Sequence, residues 1–349
     1  MPPPSTPAPS PPPPYIPSLP PELWIRILTY NADLTHLWTT CRQVSQSFRA
    51  FTEQAFADTH LRHTAIHFHL DKYNLGGSTR RPEVVTTFTR FSSSRLKERV
   101  YFAHNQTDDE IPEFRIKKTG RGGRGKTKET DIACLRKLLL ERWRQQVQDI
   151  RPECPNYVIQ IGDMVNDTEL PGLELDEYTG VEISFEWRRM LDAFFREQER
   201  MRRLADSWVG LQNADANGLR AESSLGVSQH REVAPQMAES RRKVAAGEMT
   251  QADQLVWSAK LWAGAEKGFR KAIRRARLKA HYRGNEEMVW AIASMEHMEG
   301  PARLLKDVPG GRVGERWFQS MYLPEYLLMD EWSSLQRIDS KAEMVAMAQ

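Results

Sequence analysis

The sequence predicts an α+β fold in which helix predominates: a three-helix module near the N-terminus, a small antiparallel sheet region, and a larger helical part. Three observations lead to this reading. Apolar residues recur at helical spacing over residues 19–57, the period drops to two over residues 64–118, and long helical patterns dominate from Thr130 onward. Forty per cent of the 349 residues are hydrophobic and ten are Trp, so the chain can bury a sizeable core.

The chain opens on MPPPSTPAPSPPPPYIPS, and twelve of its 21 prolines fall within the first 21 positions. Proline holds φ near one value and lacks the backbone donor, so residues 1–18 are expected to form an extended or disordered tail. PxxP spacings such as Pro11 to Pro14 could meet an SH3 or WW groove, but they arise automatically in proline-dense sequence, and a solvated leader ahead of the first folded element is the better reading.

The first predicted helix reads LPPELWIRILTY, with Pro at its first position, Glu22 in the first turn, and Leu23, Ile27 and Leu28 on one side. Asp33 stands at an N-cap position, ahead of Leu34, Leu37, Trp38 and Cys41 at i, i+3, i+4 and i+7. Val44, Phe48 and Phe51 extend the pattern into a third helix.

The run Leu19-Pro20-Pro21-Glu22-Leu23, then Ile27-Leu28, then Leu37-Trp38-Thr39-Thr40-Cys41-Arg42-Gln43-Val44-Ser45-Gln46-Ser47-Phe48-Arg49 resembles an F-box, in particular that of filamentous-fungal F-box proteins. The resemblance covers about 40 residues, 19–59 at most. It implies a non-catalytic adaptor that binds the Skp-family linker of an SCF ubiquitin ligase, and through it a cullin–RING ligase, with residues 60–349 recognising an unknown target protein. The partner-binding residues it implies are Leu19, Pro20, Leu23, Ile27, Leu28, Leu37, Val44 and Phe48. Physical reasoning points the same way. Three short helices cannot hide that much apolar surface from one another, so part of it must face a partner or the rest of the chain.

Strands are predicted at Ile66-Phe68-Leu70, where apolar residues alternate with His67 and His69, at Val84 to Phe88, at Val100 to Phe102, at Phe114 to Ile116, and at Tyr157 to Ile161. Helices are expected over Thr130–Gln148, Glu182–Leu204, about Ala246–Tyr282 and about Glu286–Met298, with a linker over about 210–235. The basic run Arg270 to Arg283 reads as an exposed helix whose thin apolar stripe (Phe269, Ile273, Ala276, Ala280) meets the core.

Two other patterns carry chemistry. Gly120-Arg-Gly-Gly-Arg-Gly125-Lys126-Thr127 satisfies the P-loop spacing, in which Gly120 and Gly125 would let backbone N–H groups wrap phosphates, Lys126 would neutralise them, and Thr127 would hold Mg²⁺, with Asp163 as an acidic partner. The preceding strand is short and polar, and few α/β alternations follow. The same segment, Arg115 to Lys128, is basic without an acid until Glu129, and could contact RNA or phosphate; it lacks aromatic residues to stack on bases, and a solvated loop also explains it.

His60, His63, His67 and His69 crowd into ten residues, but no Cys or carboxylate pair stands at ligand spacing, so no metal is expected and His67 and His69 read as the wetter side of a strand. No nucleophile sits in a recognisable elbow, so neither catalytic residues nor a cofactor are assigned. Cys41, Cys134 and Cys154 lie far apart, which suits a reducing compartment. With a net charge of +3, no apolar run near the roughly 18 residues of a membrane span, and no signal-peptide pattern, the expected location is cytoplasm or nucleus.

Overall fold

The computed structural model describes residues 19–70, 83–94, 97–104, 127–150, 155–176, 181–216, 243, 251–286, 288–293, 295 and 318–348. The fold is mixed α+β, and the chain divides into two compact units, one ending at Thr59 and the other beginning at His60. The predicted tail 1–18, the strand at Phe114–Ile116, Gly120, Gly125, Lys126 and most of the linker (217–235) lie outside the described residues.

In the first unit, helix α1 (Pro21–Thr29) starts on proline, whose missing N–H is no loss where no intrahelical acceptor exists. Asp33 caps α2 (Leu34–His36) by accepting from the His36 N–H at 2.8 Å. A π-helical turn (Leu37–Cys41) then leads into α3 (Arg42–Val44). The helix breaks at Ser45, which is extended (φ −161°, ψ 170°) and accepts from the Phe48 N–H at 3.1 Å to start α4 (Gln46–Ala55). Ser45→Ala is expected to lower the stability of this unit by about 1 kcal/mol, read as a shift of the chemical-denaturation midpoint followed by far-UV circular dichroism.

The second unit is built on a seven-stranded sheet of order β5-β4-β1-β2-β3-β7-β6, antiparallel at every described pairing. The strands are β1 (Thr64–His69), β2 (Glu83–Phe91), β3 (Arg99–His104), β4 (Tyr157–Ile161), β5 (Met164–Asn166), β6 (Glu174–Leu175) and β7 (Glu182–Glu186). Because side chains alternate across a strand, Ile66 and Phe68, Val84 and Thr86, Val100 and Phe102, Tyr157 and Ile159, and Ile183 and Phe185 share one face, and all are buried. Trp143 of α5 (Thr127–Gln148) packs there, its ring 5.7 Å from that of Phe68. A two-residue turn, Gly162-Asp163, joins β4 to β5, with Gly162 at φ 61°.

Three long helices follow: α6 (Trp187–Ala216), α7 (Gln251–His281) and α8 (Phe318–Met347). The structure changes several expectations. The helix predicted from Glu182 begins only at Trp187, because Glu182-Ile-Ser-Phe-Glu alternates with period two and pairs with β3. Residues 210–216, expected in a linker, continue α6. Helix α8 was not foreseen. Its inward positions include buried Glu331 and Ser334 beside Leu327, Leu335 and Ile338, so the apolar period is broken by polar residues whose partners lie elsewhere in the chain.

The basic run of α7 is also not the solvated face expected of it. Arg274 and Arg275 are buried. Arg274 meets the Asp167 carboxylate and the Ser334 hydroxyl, while Arg275 forms a two-point pair with Glu331 at 3.0 and 2.7 Å. His67 is likewise buried, not on a wet face. The side of the sheet that carries it, with Val158 opposite, is covered by Ile338, Ala342 and Val345 of α8.

Candidate docking surface

The first unit separates its apolar residues into two sets. Leu28, Leu37 and Trp38 are buried, with Ala55 and Phe56 from the end of the unit, and the rings of Trp38 and Phe56 meet edge to face at 4.7 Å. The Arg42 guanidinium lies 4.4 Å over the Trp38 ring and pairs with Glu53 at 2.8 Å, which ties α3 to α4. Trp24 of α1 rests against Phe48 of α4 with ring centroids 5.0 Å apart.

The second set faces outward. Leu19, Leu23 and Ile27 are 40, 45 and 51 % exposed, Tyr30 is 76 % exposed, and Val44 65 %. Leu23 and Ile27 stand one turn apart on the face of α1 away from Leu28, and Leu19 and Tyr30 flank the helix just beyond its two ends. The five exposed residues are half of the ten large hydrophobic side chains that are exposed among the described residues, although the unit is a small part of the chain.

The implied partner-binding residues therefore fall into three groups. Leu19, Pro20, Leu23, Ile27 and Val44 are exposed. Phe48 is half-buried against Trp24. Leu28 and Leu37 are a correction: they are 5 % and 0 % exposed and belong to the interior, since the turn of α1 that points Leu23 and Ile27 outward points Leu28 inward, and Leu37 is buried with Trp38 on the π-helical turn. Tyr30 was not singled out, though its place three residues after Ile27 was a readable signal.

Elsewhere the described residues offer less. A cleft of the second unit is lined by Asn166, Glu197, Glu266, Arg270 and Arg277. Its charges answer one another: Arg277 bonds Asp167 at 3.0 Å and approaches Glu197 at 3.3 Å, and Arg270 bonds Asp339 and Glu266 at 3.0 and 2.6 Å. Thr127 opens α5, and Asp163 is exposed in the β4–β5 turn of an antiparallel hairpin, not at the end of a parallel strand. Among the described residues, no group of three or more His, Cys, Asp and Glu is placed to hold a metal, and no helix is long and apolar enough to cross a membrane.

No family model matches the chain, and comparisons with curated proteins and with solved structures find no match.

Proposed function

We infer that residues 19–59 dock the chain onto a Skp-family linker, making it a non-catalytic adaptor of an SCF-type ubiquitin ligase, with the His60–Gln349 unit presenting a target protein. The observation that carries this reading is the set of exposed apolar residues on α1 (Leu23, Ile27) and at its two ends (Leu19, Tyr30), with Val44, on a unit whose sequence resembles an F-box. Apolar side chains aligned on one helix face and left in water are a common mark of a protein-binding surface.

The magnitude is informative. Each of these side chains has about half its area still to bury, so covering all five is worth on the order of 4–7 kcal/mol gross. That is less than a micromolar complex requires once association is counted, at roughly 8 kcal/mol net. This set is thus the anchor of a larger interface, to which Pro20, Phe48 and polar groups around them would add area. In such a complex the chemistry belongs to the partners, and the adaptor contributes proximity.

The test is a pull-down of purified Skp-family linker by the full chain, wild type against a Leu23→Asp/Ile27→Asp variant. Both positions are about half exposed, so the variant is expected to fold with an unchanged circular dichroism spectrum. Two carboxylates against an apolar partner should reduce binding more than a hundredfold, since unpaired buried charge costs several kcal/mol. Wild-type chain that captures no linker, or a variant that captures as much, removes the reading.

A further inference from the structure

We propose that His69, beside the His67–Glu83 pair and beneath Arg337 and Lys341 of α8, forms an acid-sensitive latch that holds this helix against the sheet at neutral pH and lets it lift as the pH falls. His67 and His69 are two residues apart on β1 and so share one face. Glu83, on β2, stands directly opposite His69 in the strand register, yet its carboxylate reaches the diagonal neighbour, His67 Nδ1, at 2.6 Å. From above, Lys341 Nζ of α8 lies 3.8 Å from the same carboxylate oxygen. Arg337, one turn earlier, donates to the Pro155 carbonyl at 3.0 Å and also acts on His69.

Among the described residues, the charged and titratable groups that act on His69 are one acid, Glu83, together with Arg337, Lys341 and His67. The one carboxylate already serves His67 and Lys341. His69 Nε2 and His67 Nε2 are both enclosed, and neither has a hydrogen-bond partner among the described residues. A proton added at His69 Nε2 would create an enclosed cation beside Arg337 and Lys341, with no acceptor for it among the described residues.

The electrostatics agree with the geometry. Burial, reinforced by Arg337, His67 and Lys341, holds His69 down at about 4 from an ordinary 6.5, although Glu83 opposes this. Glu83 is pushed up by burial but pulled further down, to about 2, by its hydrogen bond to His67 and the charges of His67, Lys341 and His69. The sign follows from linkage. His69 takes up a proton more readily when α8 is lifted, so the latch is fully closed above about pH 6.5 and loosens as pH falls toward 4. Glu83 keeps its charge through that window, so the change belongs to the histidine.

Amide hydrogen exchange of the full chain at pH 7.5 and pH 5.0, corrected for intrinsic rates, tests this. Protection across residues 335–347 is expected to fall by on the order of tenfold or more at pH 5.0, while β3 and β7 keep theirs. His69→Gln should hold α8 protection nearly constant between the two pH values. Loss of protection by helix and strands together would mean ordinary acid unfolding and overturn the latch, as would a pH response left intact in His69→Gln. If that variant does not fold, Lys341→Gln decides: removing one cation should weaken the pH response several-fold, and an unaltered response rejects the proposal.

Discussion

Asp167→Ala is expected to destabilise the His60–Gln349 unit by about 3–5 kcal/mol, among the largest effects available to a single polar substitution. Asp167 follows β5 and is almost fully buried, as is the Arg274 side chain it meets. The same carboxylate accepts from Arg277 at 3.0 Å and from the Ser334 hydroxyl at 3.1 Å, so it joins α7 and α8 to the edge of the sheet. Truncation leaves the almost fully buried Arg274 guanidinium without its counter-charge, although Ser334 and the Glu331 carbonyl still accept from it. The measurement is equilibrium urea unfolding followed by tryptophan fluorescence; the midpoint should drop markedly with little change of slope. Arg274→Met in the same chain should recover part of the loss, since removing both charges leaves no buried ion. As a contrast, the Arg90–Glu182 pair at 2.7 Å has an arginine more than half exposed, and breaking it is worth no more than about 1 kcal/mol. An Asp167→Ala variant as stable as wild type would show that the cluster is solvated, and the account of α8 would fall with it.

Phe102→Ala is expected to remove about 3–5 kcal/mol from the same unit, by loss of transfer free energy and by the cavity left behind. Phe102 is fully buried on β3, near the middle of the strand order. Its ring lies 5.1 Å from Phe185 on β7 and 6.1 Å from Phe88 on β2, so one side chain links three neighbouring strands. Phe102→Leu keeps most of the volume and should forfeit clearly less, about 1–1.5 kcal/mol. Equal effects from the two substitutions would mean that the site relaxes to fill the space, contrary to the tight aromatic packing described.

The aromatic core and the ion cluster differ in how they could be read. Phe102 announces itself: Val100-Tyr101-Phe102 alternates with period two, as does Ile66-His67-Phe68, so these strands and their buried faces are visible locally. The same holds for the first unit, where the proline at the start of α1, the Asp33 cap and the i, i+4 spacing of Leu23 and Ile27 are all short-range features. Glu182 to Glu186 shows the limit of local reading. Its alternation is only five residues long and runs straight into α6, and pairing with β3 decides between strand and helix.

Asp167, Arg274, Arg275, Glu331 and Ser334 could not be read in this way. Each looks like a surface residue in its own segment, because a buried charge is permitted only by a partner, and here the partners stand more than 50 residues away. For the same reason His67 and His69 read as a wet strand face until Arg337 and Lys341 of α8, more than 260 residues later, are laid over them. Within the candidate docking surface, the sequence places Leu23, Ile27 and Leu28 on one helix, but which of them faces water is settled by how α1 packs. Period and capping are written in neighbouring residues and determine the elements; burial is a property of what comes to lie on top, and only the assembled fold decides it.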